Sequence, residues 1–235
     1  MQALILVGGQ GTRLRSVVSD VPKPMALVGK RPFLAHLIDY WSSQGVDSFI
    51  LLTGYLSSII ENYLKQEMSH LKIKCLVESK PQGTGGALLN ALPNIDNSSE
   101  SFLLLNGDTF CEISLGAMLH QHAALRADVT LNVTEVQSNT RYSGLFLKEG
   151  KILSFNDAHS QVVNTGVALI RQSALKKFTL PTKRPLGLEN ELFKKLIDQG
   201  SVFNAFCGGK PFIDLGVPQD YVKMQQYFKT KKALI

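Results

Sequence analysis

The stretch LILVGGQGTRLRSVVSDVPKPM, residues 4–25, places a glycine-rich turn directly after a short apolar strand. Gly8, Gly9 and Gly11 let the backbone turn sharply and bring its N–H groups close to an anion. The turn lacks the G-K-[ST] ending of a P-loop, and Leu14 stands where the dinucleotide fingerprint needs its third glycine. The stretch therefore predicts an α/β sheet whose first loop binds an anion without either of those two motifs.

Two basic residues make this prediction more specific. Arg13 follows the glycines, and Lys23 lies between Pro22 and Pro24, which restrict the backbone on both sides of the lysine. Positioned cations beside a row of backbone donors suit a polyphosphate. The alternative interpretation, an ordinary glycine turn with surface charges, is disfavoured by the Pro-Lys-Pro sequence.

Strand and helix patterns alternate through the first 134 residues. Apolar, β-rich runs lie at 3–7, 49–53, 73–77, 102–105 and 129–134, and amphipathic stretches at 33–44, 57–66, 84–92 and 114–125. This alternation predicts βαβ units and a mostly parallel sheet covered on both faces. Further along the chain, strands are expected at 144–148, 151–155, 162–170 and 202–206, and helices at 188–199 and 218–229. We expect this second part to add a smaller, mixed sheet.

Composition excludes several classes of protein. Apolar residues make up 44% of the 235 residues and charged residues 19%, so a packed core is expected. The net charge of +6 is not concentrated in a basic, aromatic-rich segment, so nucleic-acid binding is not expected. No apolar run approaches the ~20 residues of a membrane span, and the first run is too short for a signal peptide. Three widely spaced cysteines predict neither a disulfide framework nor a zinc site. A cytoplasmic protein is the resulting expectation, and a homo-oligomer stays open.

Acidic residues follow two of the predicted strands and one short apolar pair, and ligands of open α/β sheets bind at the carboxyl ends of strands. Asp108 follows the strand of FLLLNGDTF, and either a helix cap or a Mg²⁺ ligand explains it. Asp214, in FIDLGVPQDY, would complete a metal site if it lay near Asp108. Glu78 ends a strand before the glycine-rich loop 83–86, where Thr84 as a helix N-cap is the alternative to a ligand-binding role.

Together these segments resemble one family. LVGGQGTRLRSVVSDVPKPM, PQGTGGAL, LLNGDT and FIDLGVPQDY, in this order, are similar to the motifs of the sugar-1-phosphate nucleotidyltransferases. Within the family, RSVVSDVPKPMA most resembles the D-glycero-α-D-manno-heptose 1-phosphate guanylyltransferases of bacterial surface-polysaccharide synthesis, for capsule or lipopolysaccharide. The resemblance implies a Rossmann-like three-layer sandwich of the nucleotide-diphospho-sugar transferase type. It also implies one domain over residues 1–230, with a nucleotide-binding part (1–134), a sugar-phosphate-binding part (135–230) and a basic tail (231–235).

The resemblance also implies roles for particular residues. Arg13, Lys23 and Asp108 would be catalytic, and Asp108 and Asp214 would bind Mg²⁺, the expected cofactor. The substrates would be GTP and a sugar 1-phosphate. The nucleotide would be bound by Leu6, Gly8, Gly9, Gly11, Thr12, Glu78, Gly83 and Thr84. The sugar phosphate would be bound by Asn106, Gly144, Asn164 and Glu189.

The chemistry agrees with such a site. A sugar 1-phosphate oxygen is already anionic, so it needs no general base, and positioning and electrostatics carry the transfer. Glu78 favours guanine, because a carboxylate accepts from both N1–H and the N2 amino group of that base. Uracil and thymine offer one N–H between two carbonyls. The residue types therefore predict transfer of GMP from GTP, giving a GDP-sugar and pyrophosphate.

Two departures from the family pattern fall in the sugar half. Asn156 and Asp157 replace the usual Glu-Lys pair, and Ser143 interrupts the usual Arg-Tyr-Gly as RYSG. Within the enzyme class, a mannose-1-phosphate guanylyltransferase or a sugar-1-phosphate uridylyl- or cytidylyltransferase is the alternative. Outside it, the alternatives are a dehydrogenase, disfavoured by the missing third glycine, and a catalytically silent nucleotide-sugar-binding regulatory subunit.

Overall fold

The computed structural model describes residues 1–9, 20–137, 141–176, 178 and 184–232. Its strands are β1 Gln2–Leu6, β2 Leu27–Val28, β3 Arg31–Pro32, β4 Ser48–Thr53, β5 Lys72–Val77, β6 Ser101–Asn106, β7 Thr109–Cys111, β8 Val129–Glu135, β9 Leu145–Lys148, β10 Lys151–Phe155, β11 Val162–Arg171, β12 Phe203–Cys207 and β13 Phe212–Asp214. Its α-helices are α1 Phe33–Ser43, α2 Ser57–Glu67, α3 Gly83–Ala91, α4 Leu115–Ala124, α5 Gln172–Leu175, α6 Lys194–Asp198 and α7 Pro218–Lys232.

Nine strands form one twisted sheet in the order β5-β4-β1-β6-β11-β8-β12-β10-β9. The first four are parallel to one another, as the βαβ pattern predicts. Within the sheet, β11 and β10 run against the other strands. The expected α/β fold is therefore confirmed, and its mixed part lies in the second half of the chain.

The register at the centre of the sheet sets the position of the loops. Leu6, the last residue of β1, lies beside Leu52 of β4 on one side and Asn106 of β6 on the other. Three parallel strands therefore end at about the same level. The loops that follow them share one edge of the sheet, where ligands of such sheets bind.

Helices cover both faces of the sheet and enclose two apolar cores. Successive residues of β1 point to opposite faces, so that Ile5 belongs to the core that includes residues of α1, α2, α4 and α7, whereas Leu4 belongs to the core that includes residues of α3, α5 and α6. Both side chains are completely buried. Burying each contributes about 1.5–3 kcal/mol. The central strands read as continuous apolar runs because both of their faces are covered.

The structure adds short elements that periodicity did not predict. β7 and β13 form a separate two-stranded ribbon, and β2 and β3 form another. The helix expected at 188–199 is divided into a π-helical turn at Leu188–Phe193 and the short helix α6. Among the described residues, no helix combines the length and apolar character needed to cross a membrane.

Candidate functional site

The end of β6 brings a tight turn to the ligand-binding edge of the sheet. The Gly107 N–H donates to the Leu6 carbonyl at 2.9 Å. A Cβ at position 107 would lie 2.4 Å from Val7 Cγ1 and 2.7 Å from the Leu6 oxygen, so only glycine fits without a rearrangement. This close approach packs the turn against the end of β1 and places Asp108 immediately after it.

The ribbon of β7 and β13 brings a second acidic residue to the first. Asp214 lies opposite Thr109 in the antiparallel pairing, and the Leu215 N–H donates to the Asp108 carbonyl at 2.9 Å. Two aspartates that are far apart in sequence therefore become neighbours through backbone pairing. Asp214 therefore lies near Asp108, which is the condition for a shared metal site that the sequence alone could not test.

Lys23 joins the two carboxylates. It begins a 3₁₀ turn at Lys23–Met25, held by Pro22 before it and Pro24 within it. Its Nζ lies 2.6 Å from Asp108 Oδ2 and 3.6 Å from Asp214 Oδ1. The lysine side chain is only 9% exposed, so this cation is fixed rather than solvated. The structure thus brings together Lys23, Asp108 and Asp214, as the resemblance implied.

A cleft of about 420 Å³ opens beside this cluster, at the ends of the central strands. Its walls combine backbone of the glycine loop, apolar side chains and the acidic residues. They comprise Leu6, Val7, Gly8, Gly9, Lys23, Pro24, Leu52, Glu78, Pro81, Gly83, Thr84, Ala87, Asn106 and Asp108. Expected nucleotide-binding residues from three separate segments therefore line one cavity. Gly11, Thr12 and Arg13 lie outside the described residues.

Glu78 presents an acidic side chain to this cleft. It follows β5, and its N–H donates to the Thr53 carbonyl at 2.9 Å. Its Oε1 atom is buried and has no hydrogen-bond partner in the described part of the chain. Burial raises the pKa of the Glu78 carboxyl, although a hydrogen bond from the Gln82 backbone partly offsets that effect. The residue therefore has unused acceptor capacity, which a ligand with N–H donors would satisfy.

The glycine-rich residues 83–86, expected as a loop, form the first turn of α3, and close packing explains part of their sequence. Gly83 has φ +76°, and a Cβ there would lie 2.4 Å from the Leu186 carbonyl oxygen. The N-cap interpretation of Thr84 was wrong, because α3 begins at Gly83 and Gln82 occupies the N-cap. The Thr84 hydroxyl instead accepts from the Leu188 N–H at 3.0 Å. This turn is thus joined to the segment that leads into the sugar-half residue Glu189.

The expected sugar-binding residues Asn164 and Glu189 contact each other. Asn164 Nδ2 donates to Glu189 Oε1 at 2.7 Å. Burial raises the pKa of the Glu189 carboxyl, and the hydrogen bond from Asn164 opposes that shift. Nearby, Gly166 has φ +82°, and a Cβ there would lie 2.6 Å from Asn106 Nδ2. Close packing at Gly166 therefore connects this pair to Asn106 in the cleft.

The two departures from the family pattern are hydrogen-bonded to each other. Ser143 Oγ donates to Asn156 Oδ1 at 2.6 Å and accepts from the Asn156 N–H at 3.0 Å. Asn156 Nδ2 also donates to Asn190 Oδ1 at 2.7 Å. The expected residue Gly144 bridges Val163 of β11. Ser143, Asn156 and Asn190 therefore form a neutral polar cluster at the first of the two positions where a Glu-Lys pair is usual.

Arg141 and Tyr142 reach the acidic cluster from the RYSG segment. Arg141 Nη2 lies 3.2 Å from Asp214 Oδ2. Burial, followed by the nearby Asp214 charge, raises the pKa of the Tyr142 hydroxyl to about 12. The interrupted Arg-Tyr-Gly pattern was a usable signal, because it marked this segment as part of the site.

The residues present fit a magnesium ion that arrives with phosphate. Among the described residues, no group of three or more His, Cys, Asp or Glu side chains could hold a metal ion alone. Mg²⁺ in nucleotide enzymes takes only one or two carboxylates and completes its shell with water and phosphate oxygens. Asp108 and Asp214 both contact the Lys23 ammonium, so a single cation can approach both.

Comparison with known proteins identifies the class that this fold and site define. The chain belongs to the nucleotidyl transferase family, which it matches over residues 2–231. It is 35% identical, over 96% of its length and 97% of the relative's, to D-glycero-alpha-D-manno-heptose 1-phosphate guanylyltransferase of Aneurinibacillus thermoaerophilus. It is 33% identical, over 94% of its length and 63% of the relative's, to mannose-1-phosphate guanylyltransferase 1 of Arabidopsis thaliana.

A solved structure agrees. The crystal structure of HddC from Yersinia pseudotuberculosis complexed with GMP-PN superimposes with a TM-score of 0.82 at 31% identity, covering 97% of this chain and 99% of that one. The resemblance read from the four motifs is therefore confirmed at the level of the family, and so is the expectation of a nucleotidyltransferase.

Proposed function

We propose that this chain transfers GMP from GTP to D-glycero-α-D-manno-heptose 1-phosphate. A phosphate oxygen of the sugar 1-phosphate would attack the α-phosphorus of GTP, and the bond from that phosphorus to the β-phosphate oxygen would break. The products are GDP-heptose and pyrophosphate, and no atom or proton is left unassigned. Family membership and the heptose- and mannose-phosphate guanylyltransferase relatives support this proposal.

One structural observation carries the proposal. Lys23 and Asp108 line the same cleft as Glu78, which has an unpartnered acceptor, and Asp214 contacts Lys23. Charge that can stabilise an α-phosphate and a group that can read a base are thus placed at one cavity. A binding protein without turnover has no need for this acidic pair beside a fixed lysine.

Particular residues would act on the nucleotide. The backbone of Gly8 and Gly9 would hold its phosphates, because such donors suit anions. Lys23 would contact the α-phosphate and the incoming sugar phosphate, and Arg13 would reach the leaving pyrophosphate. Glu78 would accept from N1–H and the N2 amino group of guanine.

The remaining assignments concern the sugar and the cofactor. Asn164 and Glu189 would contact sugar hydroxyls. Asp108 and Asp214 would hold Mg²⁺, which when bound neutralises phosphate charge and stabilises the leaving group. The lysine and the metal would compete for the same carboxylate oxygens, and the phosphates give Lys23 another anionic partner. GTP and sugar phosphates are cytoplasmic metabolites, so we expect the enzyme to work in that compartment.

A substrate grid tests the proposal. GTP, UTP, CTP and dTTP are each combined with heptose, mannose, glucose and N-acetylglucosamine 1-phosphates in Mg²⁺, and pyrophosphate release is measured. We expect GTP with the heptose phosphate to give the highest kcat/KM. A preference for mannose 1-phosphate would support guanylyl transfer but would show that the sugar is mannose and not the heptose. Preference for UTP would overturn the role of Glu78, and no release in any combination would favour a silent regulatory subunit.

A further inference from the structure

Arg141 bridges two acidic residues that the proposed reaction does not connect. Its Nη1 atom donates to Asp220 Oδ2 at 2.6 Å, and its Nη2 atom donates to Asp214 Oδ2 at 3.2 Å. The planar guanidinium suits this geometry, because its N–H groups point in fixed directions. A loop at the start of the sugar half is thereby attached to the expected metal ligand.

Asp220 is a nearly buried carboxylate that holds this arginine in place. It lies in the first turn of α7, where the helix dipole favours a negative charge, and its side chain is only 9% exposed. Burial raises its pKa, but hydrogen bonds from Arg141 and Lys223 outweigh that effect and leave the pKa below its ordinary value. An ionised, nearly buried carboxylate thus holds one side of the guanidinium in place.

Gly216 makes room for the other side of the guanidinium. A Cβ at position 216 would lie 2.9 Å from both Arg141 Nη2 and Asp214 Oδ2. Any side chain there would therefore press on the two atoms that form the contact. The glycine of the LGVPQD sequence accordingly accommodates the Arg141–Asp214 pair.

These contacts act on the orientation of the Asp214 carboxylate. Asp214 directs Oδ2 to Arg141 and Oδ1 to Lys23, and its side chain is 12% exposed. We propose that Arg141, anchored by Asp220, is a positioning residue that holds the Asp214 carboxylate with Oδ1 facing Lys23 and Asp108. This inference rests on the proposed function in one respect, namely that Asp214 binds the metal.

Calorimetry can test the inference without relying on turnover. The affinity for GTP is measured in Mg²⁺ and in EDTA, without sugar phosphate, and the ratio of the two affinities reports what the metal contributes. The variants are Arg141→Met, Arg141→Lys, Asp220→Ala and the double variant Arg141→Met/Asp220→Ala. Arg31→Met is the matched control, because it breaks a 2.6 Å Arg31–Asp39 pair outside the cleft.

We expect Arg141→Met to lower the ratio about tenfold or more, as loss of groups that orient metal ligands does, while the affinity in EDTA changes much less. Arg141→Lys should fall between wild type and Arg141→Met, because an ammonium lacks the planar fork. The double variant should match Arg141→Met, since Asp220 acts through the arginine. Arg31→Met should leave the ratio unchanged.

Other outcomes would overturn the inference. One is an unchanged affinity ratio in both Arg141 variants, which includes equal losses of GTP affinity in Mg²⁺ and in EDTA. Another is a lower ratio in the double variant than in Arg141→Met alone. Arg141→Lys and Asp220→Asn keep the test available if Arg141→Met does not fold. A wild-type ratio near 1 would contradict both this inference and the metal role of Asp214. A wild-type ratio well above 1, without pyrophosphate release in the substrate grid, would contradict the proposed function but not this inference.

Discussion

One carboxylate oxygen of Glu78 lacks a hydrogen-bond partner among the described residues, although most buried polar atoms in proteins have one. This atom, Oε1, is buried. An unpaired buried acceptor costs about 1–3 kcal/mol. A ligand that supplied a donor to this oxygen would remove the cost, and Glu78 lines the cleft where the nucleotide is proposed to bind.

Replacing Glu78 with Gln should raise the KM for GTP. Loss of a charged acceptor facing two donors corresponds to about tenfold to a hundredfold. The effect should depend on pH. Because burial raises the pKa of Glu78, wild-type affinity for GTP should fall as pH drops through a value above the ordinary pKa of Glu, and the variant should lack that step.

Steady-state kinetics between pH 5 and pH 8 measure both effects. Glu67→Gln is the control, since Glu67 is an exposed acidic residue on α2. Identical KM values for GTP in wild type and Glu78→Gln at every pH would remove Glu78 from base recognition.

At the scale of elements, the first turn of α3 contacts the segment before the π-helical turn. The N–H of Gly85 donates to the Leu186 carbonyl at 2.9 Å, and the N–H of Leu186 donates to the Gln82 carbonyl at 2.7 Å. Gly83 lines the cleft and also touches Leu186. The start of α3 therefore lines the nucleotide cleft and also supports the segment that carries Glu189.

Substituting Gly83 with Ala should destabilise the protein more than the same change at Gly150. Both glycines have φ +76°, but a Cβ would meet Leu186 oxygen at 2.4 Å at position 83 and nothing within 4 Å at position 150. Gly150→Ala should cost about 1–2 kcal/mol from backbone strain alone. Gly83→Ala should cost about 1–3 kcal/mol more from overpacking.

Urea unfolding of the two variants measures the difference directly. Equal losses at positions 83 and 150 would show that the first turn of α3 shifts to accept a methyl group, and the proposed coupling of that turn to residue 186 would then be wrong.

The elements also show where sequence reasoning stops. The long strands and helices were predictable because their apolar residues repeat with the period of each element. The pairing of β7 with β13 was not, since three-residue strands have no measurable period. That pairing decides whether Asp108 and Asp214 meet. The sugar-binding roles of Asn164 and Glu189 were expected only from the family resemblance. The contact of Arg141 with Asp214 was not predicted, because the sequence does not show which acidic residue a loop arginine meets.

At the scale of the whole molecule, one continuous sheet joins the two expected parts of the site. β6 belongs to the nucleotide half and pairs with β11 of the sugar half. Residues of both halves therefore rest on one hydrogen-bonded sheet. Ligands that contact both halves should accordingly stabilise the molecule as a unit.

Thermal unfolding should report this stabilisation. At a concentration of GTP about 100 times its Kd, with Mg²⁺, we expect Tm to rise by on the order of 5–10 °C. UTP at the same concentration should give a smaller shift, and EDTA should reduce the shift with GTP. Equal shifts with GTP and UTP would contradict guanine selection, and insensitivity to EDTA would contradict a metal bound with the nucleotide.

The β7–β13 ribbon has a consequence for how the protein is made. During synthesis Asp108 leaves the ribosome well before Asp214, and amino-terminal segments begin to fold first. The nucleotide-half strands can pair early, but the acidic cluster around Lys23 cannot close until β13 has emerged. A nascent chain that stops between β7 and β13 would therefore lack the assembled acidic cluster, whatever its earlier strands have formed.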